Sequence, residues 1–206
     1  MHLDDRALRE RITVQLKYKS RNPVIAFLTS RFLRAIVRTA EEVSPRTVLD
    51  VGCGEGIVAH LLTRQFPQVG YFGCDIHEPS LRLAASACAG NAHFFSADAL
   101  YLPVPDRSFD LTICSETLEH LKDYETALAE LVRVSVGTVL VTVPHEPFWR
   151  IGNMLRGNYL RSFGNTPEHV NHWTKKGITR LLSSYFDTVD ARSVFPWTFV
   201  LCQRSS

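Results

Sequence analysis

The chain lacks any apolar run of about 18 residues or more, so no stretch predicts a transmembrane helix. Its polar start, Met1-His2-Leu3-Asp4-Asp5, lacks the composition of a secretory signal. The five cysteines lack any C-x-x-C spacing, which argues against a zinc or disulfide framework. We therefore expect a cytoplasmic protein with reduced cysteines and no membrane span.

Internal repeats and low-complexity tracts are also missing, and 206 residues with 45% hydrophobic and 21% charged side chains are typical of one globular domain. Helical spacing over Asp4 to Lys17 and Pro23 to Glu42 predicts an N-terminal helical cap over residues 1–45. We expect residues 46–206 to form the main α/β unit, with an insertion at 145–172.

The net charge of +2 hides an uneven distribution along the chain. Lys and Arg against Asp and Glu number 10 to 5 in residues 1–46, 4 to 12 in 47–130 and 9 to 4 in 131–206. Basic flanks favour an anionic small molecule or an anionic surface as partner. Solvent-exposed helix faces would carry the same charges, so the charge pattern does not decide between an anionic partner and an ordinary solvated surface.

A glycine-rich turn is the most informative motif. An apolar strand, Thr47 to Val51, runs into Gly52, Gly54 and Gly56, and a helix is predicted from Glu55 to Gln65. Dinucleotide-binding enzymes need a further glycine at the position held here by Ile57. With Asp50 before the glycines, the pattern instead resembles motif I of the class I S-adenosylmethionine-dependent methyltransferases, closest to the group that includes the quinone-biosynthesis methyltransferases.

The resemblance covers roughly residues 45 to 200 and implies an α/β fold: a Rossmann-like, seven-stranded, mostly parallel sheet with helices on both faces and a C-terminal antiparallel strand pair. Apolar patterns place the remaining strands at Tyr71–Asp75, His93–Asp98, Ser108–Ser115, Gly137–Val143, Asp187–Val194 and Trp197–Cys202, with helices at Tyr124–Val134 and Gly177–Ser184.

The same resemblance implies S-adenosylmethionine as the cofactor and S-adenosylhomocysteine as the product. It assigns Asp75 to the ribose hydroxyls, Asp98 to the adenine amino group and Ser115 to the methionine part of the cofactor. The predicted cofactor residues are Asp50, Gly52, Cys53, Gly54, Gly56, Asp75, Ile76, Asp98, Ala99, Leu100 and Ser115.

Histidines are concentrated where acceptor-side loops are expected. A hydroxyl acceptor loses its proton on methylation, and the histidine pKa suits that task at neutral pH. His120 follows the fourth strand and His145 the fifth, so these two are the candidate catalytic bases. His169 and His172 precede the last helix, for which Thr174 is a candidate N-cap.

A metal site is an alternative for the same region. Glu116, Glu119 and His120 share one face if the segment is helical, and His172 would complete a ligand set. That arrangement resembles the metal site of small-RNA 3′-end 2′-O-methyltransferases. The same Glu-His pair is common in metal-free quinone-type enzymes, and the chain lacks the long basic, aromatic surface of an RNA binder. The sequence therefore favours no metal and no nucleic-acid partner.

The insertion predicts a lid over the acceptor. Phe148, Ile151, Leu155 and Tyr159 recur at helical spacing among Arg150, Arg156 and Arg161, a composition typical of an interfacial helix. Core packing would explain the apolar residues equally well. In the functional interpretation the lid comprises Phe148, Trp149, Arg150 and His172, and the acceptor is a small or lipid-linked molecule with an anionic end, reached with or without peripheral membrane contact.

We therefore expect an S-adenosylmethionine-dependent methyltransferase that acts at oxygen. A metal-assisted RNA 2′-O-methyltransferase, a non-catalytic cofactor-binding protein and a dehydrogenase are the alternatives.

Overall fold

The computed structural model describes residues 22–88, 90, 92–155 and 165–204. The first helix predicted for the cap, Asp4 to Lys17, lies outside these residues. In chain order the described elements are α1 (Pro23–Val43), β1 (Thr47–Val51), α2 (Ile57–Gln65), β2 (Gly70–Asp75), α3 (Glu78–Ala87), β3 (Ala92–Ser96), β4 (Phe109–Ser115), a 3₁₀ turn (Leu118–His120), α4 (Tyr124–Val134), β5 (Ser135–Pro144), α5 (Phe148–Leu155), α6 (Lys175–Leu182), β6 (Thr188–Val194) and β7 (Trp197–Gln203).

The strands form one seven-stranded sheet in the order β3-β2-β1-β4-β5-β7-β6. The first five pair in parallel, whereas β7 pairs antiparallel with both β5 and β6. Strand order reverses between β1 and β4, and such switch points hold the ligand crevice of open α/β sheets at the carboxyl ends of the strands. The predicted sheet with its C-terminal antiparallel pair is confirmed.

Helices cover both faces of the sheet. On one face, α1 and α2 bury Phe32, Ile36 and Leu62 against the β1, β4 and β7 side chains. On the other, α4 and α6 bury Leu128 and Ile178. Apolar strand residues that point to alternate faces therefore meet apolar helix stripes on both sides, as in other doubly wound folds. No described helix is both long and apolar enough to cross a bilayer.

Some boundaries differ from the predicted ones because local backbone geometry overrides the apolar pattern. Helix α2 begins at Ile57 rather than Glu55, since Gly56 has a left-handed φ of 76°. Strand β3 ends at Ser96 rather than Asp98, since the chain then turns through an isolated bridge between Asp98 and Tyr101. Thr174 does cap α6, where its hydroxyl accepts the Gly177 N–H at 3.1 Å.

Candidate active site

The glycine turn lies at the carboxyl end of β1 and is held by β2. The N–H groups of Gly52 and Cys53 both donate to the Cys74 carbonyl, at 2.8 and 3.0 Å. Gly52 has a φ of 77°, and a Cβ there would lie 2.2 Å from Thr117 Oγ1. Only glycine therefore allows the loop after β4 to close over the turn.

Asp75 lies at the tip of β2, beside this turn. Its Oδ2 accepts the Gly54 N–H at 2.9 Å, and its Oδ1 accepts the His77 N–H at 2.8 Å. Both bonds fix the orientation of the carboxylate, and each oxygen keeps a second lone pair for a hydroxyl donor. Next to it Ile76 is 72% exposed, and its predicted contact with the cofactor remains a prediction.

Asp98 and its neighbours form a turn after β3. Asp98 Oδ1 accepts the Leu100 N–H at 2.9 Å, and the Asp98 carbonyl accepts the Tyr101 N–H at 3.0 Å. Ala99 and Leu100 are half-buried. The carboxylate therefore shapes its own turn, and the adenine contact assigned to it remains a prediction.

Asp50 lies beneath the glycine turn, only 2% exposed. The Tyr71 hydroxyl donates a hydrogen bond to its carboxylate. Burial raises the pKa of Asp50 to about 7, and the charge of Asp75 adds to the rise while the Tyr71 bond opposes it. Asp50 is thus placed to support the turn from inside. Burial also raises the pKa of the Cys53 thiol, which therefore stays protonated.

The loop after β4 begins beside the glycine turn, at the carboxyl edge of β1, β2 and β4 where the cofactor is predicted to bind (the cofactor edge). It continues toward the loops that carry His120 and His145, where the acceptor is predicted to bind (the acceptor side). Ser115 Oγ lies 2.9 Å from Thr142 Oγ1 on β5. Glu116 has a left-handed φ of 55°, and its Oε2 accepts the Trp197 Nε1–H at 2.7 Å. The condition of a helix from Glu116 to His120 is therefore not met, because the 3₁₀ turn begins at Leu118 and the Glu116 carboxylate contacts Trp197 of β7.

The 3₁₀ turn brings Glu119, His120 and His169 together. One potential ligand atom from each lies within 4.8 Å of the others. Glu119 is 1% exposed, His169 is 9% exposed and His120 is open to solvent. Sequence reasoning noted His169 but did not place it in the site, because only the fold brings residues 49 positions apart into contact.

The second candidate base, His145, lies just past β5. Its backbone N–H donates to the Pro196 carbonyl at 2.9 Å. Its imidazole ring makes an edge contact with the Phe148 ring, with 5.3 Å between the centroids. Glu146, which sequence reasoning missed, is buried, and its Oε1 lies 3.6 Å from His172 Nδ1. Burial raises the pKa of the Glu146 carboxyl, against a backbone hydrogen bond from Arg150 and the pull of His172.

The predicted lid helix begins at Phe148, and its two leading aromatic residues point in different directions. Trp149 packs between His169 and Trp197, with ring centroids at 6.2 and 5.8 Å. Phe148 and Ile151 are 47% and 41% exposed. The Phe148 ring also contacts the ring of the exposed Phe195, with 5.8 Å between the centroids. Trp149 therefore anchors α5, while Phe148 and Ile151 face outward. Arg156, Tyr159 and Arg161 lie outside the described residues.

Comparison with known proteins agrees with this geometry. Residues 48–136 match a family model described as a methyltransferase domain. The demethylmenaquinone methyltransferase of Thermus thermophilus is 35% identical over 136 residues, which cover 64% of this chain and 62% of that protein. O-methyltransferase rstn1 of Aspergillus nomiae is 34% identical over 119 residues, 55% of this chain and 52% of that protein. The chain thus spans less than two thirds of the length of either relative.

The fold has a close counterpart among solved structures. Magnesium protoporphyrin IX methyltransferase from Synechocystis, crystallised with bound S-adenosylhomocysteine, superimposes with a TM-score of 0.68 at 15% identity. The match covers 96% of this chain and 92% of that one, which shows a shared fold. Through the methyltransferase domain matched at residues 48–136, and with a glycine turn beside Asp75, the chain is similar to the class I S-adenosylmethionine-dependent methyltransferases.

Proposed function

We propose that this protein transfers the methyl group of S-adenosylmethionine to an oxygen of a small, apolar aromatic acceptor that carries an anionic group. One observation carries the proposal: a glycine turn with an oriented carboxylate, Asp75, lies at the same sheet edge as the acceptor-side histidines. The name of one relative, a demethylmenaquinone methyltransferase, supports a quinone-type acceptor, and the name of another, an O-methyltransferase, supports transfer to oxygen.

Methyl transfer of this type is a single in-line displacement. The acceptor oxygen forms a bond to the methyl carbon, the carbon–sulfur bond breaks, and its electron pair returns to sulfur to give the neutral thioether. The sulfonium already activates the carbon, so the protein mainly positions the reactants and excludes water. The acceptor proton goes to a base, for which His120 and His145 are the candidates.

The acceptor side suits an apolar molecule with a charged end. Phe148, Ile151 and Phe195 are exposed, and the His145 ring connects Phe148 to the loop after β5. Arg150 on the same helix supplies a positive charge. This combination of exposed apolar side chains and a positive charge supports a lipid-linked or short-chain acceptor and a peripheral contact with an anionic membrane.

The cysteines bear on the location of the protein. All five are free thiols, which supports a location in the reducing cytoplasm.

Calorimetric titration with S-adenosylhomocysteine and, separately, with NADH tests the cofactor half of the proposal. We expect micromolar binding of S-adenosylhomocysteine and none of NADH. A folded protein that binds neither compound, or only NADH, would overturn the proposal.

Transfer of labelled methyl from S-adenosylmethionine tests the acceptor half. The acceptors are a prenylated hydroquinone, the same compound with a carboxylate, and a hydrophilic phenol. We expect turnover in the order carboxylate, neutral prenylated compound, phenol, and a loss of kcat in His145→Gln or His120→Gln. Stable binding of S-adenosylhomocysteine with no transfer to any of them would reject this acceptor class.

A further inference from the structure

The cluster of Glu119, His120 and His169 is built from two separate segments that lock together. The Glu119 carbonyl accepts the N–H groups of Val170 and Asn171, at 2.9 and 3.1 Å. The Asn171 side-chain amide donates back to the carbonyls of Leu118 and Leu121, at 3.2 and 2.6 Å. The fold therefore fixes the 3₁₀ turn and the His169 segment against each other before any ligand binds.

The histidine rings are held as metal-binding imidazoles usually are. His120 Nδ1 lies 3.0 Å from the Glu168 carbonyl, a contact that requires a proton on Nδ1 and leaves the Nε2 lone pair free to coordinate. Metal-ligating histidines usually donate their other ring N–H to a carbonyl or carboxylate in this way. The Trp149 ring stacks on His169 and fixes its plane.

Spacing and chemistry also suit an ion. Two ligand atoms bound to one zinc-type ion lie at most about 4.4 Å apart, because each bond is about 2.0 to 2.2 Å long. The three candidate atoms lie within 4.8 Å of one another, so a small side-chain movement would close the site. Two imidazoles and one carboxylate suit first-row transition ions better than Mg²⁺ or Ca²⁺, which prefer oxygen ligands.

We infer that Glu119, His120 and His169 bind one divalent transition-metal ion, of the Zn²⁺, Mn²⁺ and Co²⁺ class. The structure selects a different set from the one that sequence spacing suggested: Glu116 accepts a bond from Trp197, and His172 faces Glu146. Glu119 and His169 are buried while His120 is exposed, so the open coordination positions face outward.

The inferred ion deepens the proposed function and rests on it. Thr117, which closes over Gly52, lies two residues before Glu119, so the site adjoins the cofactor edge. An ion there would take the acceptor oxygen as a ligand and lower the pKa of its hydroxyl. With the ion bound, His120 is a ligand and no longer a candidate base, so the released proton passes to His145 or water, and the ion keeps its oxidation state throughout.

Titration of the metal alone tests this inference. Protein dialysed against a chelator is titrated calorimetrically with Zn²⁺ and Mn²⁺, and with Co²⁺ followed by visible absorption. We expect one ion per chain, with d–d bands typical of mixed nitrogen and oxygen ligands. His169→Ala and Glu119→Gln should weaken affinity by about 100-fold or more, since each removes a direct ligand. The matched control His172→Ala, a nearby histidine outside the cluster, should bind as the native chain does.

Binding of S-adenosylhomocysteine in the presence of chelator reports the integrity of each variant and separates the two proposals. If the native chain binds S-adenosylhomocysteine but no ion, the metal inference fails and the proposed function stands. Ion binding that survives His169→Ala and is lost in His172→Ala would also overturn it. If S-adenosylhomocysteine does not bind, the proposed function fails whatever the metal result. Support requires ion binding that depends on His169 and Glu119 with cofactor binding unchanged.

Discussion

Asp75 and Asp110 are carboxylates in similar backbone settings at opposite ends of the sheet. Asp75 accepts two N–H groups beside the glycine turn, and Asp110 Oδ2 accepts the N–H groups of Arg46 and Thr47 at 2.9 and 3.0 Å. We predict that Asp75, and not Asp110, accepts hydrogen bonds from the ribose of the cofactor. Asp75→Asn should therefore weaken S-adenosylhomocysteine binding by about 1.5 to 3 kcal/mol, the value of a hydrogen bond to a charged group.

Calorimetric titration of Asp75→Asn beside Asp110→Asn measures this effect. Asp110→Asn should lower the free energy of unfolding, because the backbone bonds lower the pKa of that carboxyl, yet leave S-adenosylhomocysteine affinity unchanged. Equal losses of affinity in the two variants would mean that both act through the fold.

Asp50 makes a pH-dependent contribution to stability. Its pKa is about 7 in the folded chain against 3.8 ordinarily, so the folded state holds a proton that the unfolded state has lost between about pH 4 and 7. The contribution of Asp50 to the free energy of unfolding is therefore highest below pH 4 and falls as the pH rises to 7. Asp50→Asn, which keeps an acceptor for the Tyr71 hydroxyl, should remove this slope and raise the free energy of unfolding at pH 8 by about 2 to 4 kcal/mol.

Urea unfolding of the native chain and Asp50→Asn at pH 5, 6, 7 and 8 measures this slope. Tyr71→Phe is the companion variant: without the Tyr71 bond that opposes the rise, the Asp50 pKa should increase further and the decline should extend to higher pH. A decline of equal size in the native chain and in Asp50→Asn would assign the effect to another group.

Helix α5 exposes part of two apolar side chains to solvent. Phe148 and Ile151 are 47% and 41% exposed, so about half of each side chain is buried, and replacing both with serine should lower the free energy of unfolding by about 1 to 3 kcal/mol. If they contact the acceptor, KM for a prenylated acceptor should rise about tenfold while S-adenosylhomocysteine affinity stays constant. Steady-state kinetics with prenylated and hydrophilic acceptors measure this difference.

The matched control for α5 is Val136→Ser at the start of β5, where the valine is 41% exposed at the other end of the sheet. It should leave both KM values unchanged. An equal rise for the hydrophilic acceptor would show that α5 has no role in recognising the apolar part.

Across the whole chain, sequence patterns predicted the features that depend on neighbouring residues, namely the strands and their ends. Apolar runs gave the strands, and strand ends placed Gly52 and Asp75 side by side, because parallel strands share a carboxyl edge. Long-range packing determined the rest. The burial of Glu146 depends on the distant Trp173 backbone, and the pairing of His169 with His120 depends on how 165–174 folds back. Glu116 itself has a left-handed φ, which no periodicity reports, so it does not share a helical face with Glu119 and His120.

The folded chain should also unfold as one unit, which is what the prediction of one structural domain with an N-terminal helical cap over residues 1–45 requires. In α1, the Phe32 ring contacts the rings of Trp197 and Phe199, with 4.7 and 5.2 Å between the centroids. The helix therefore belongs to the hydrophobic core on that face of the sheet. The cofactor edge draws residues from β1, β2 and β4, and a ligand there binds only when the sheet is intact. S-adenosylhomocysteine should therefore shift a single transition.

Differential scanning calorimetry measures that shift. At 100 times its Kd, the ligand adds about 2.7 kcal/mol, which in a chain of this size raises Tm by about 5 to 10 °C. NADH at the same concentration should leave Tm unchanged, and Asp75→Asn should need more S-adenosylhomocysteine for an equal rise. A melt in two steps, with only the upper step moved by ligand, would instead show that α1 unfolds independently and that its contacts with Trp197 and Phe199 do not couple it to the cofactor edge.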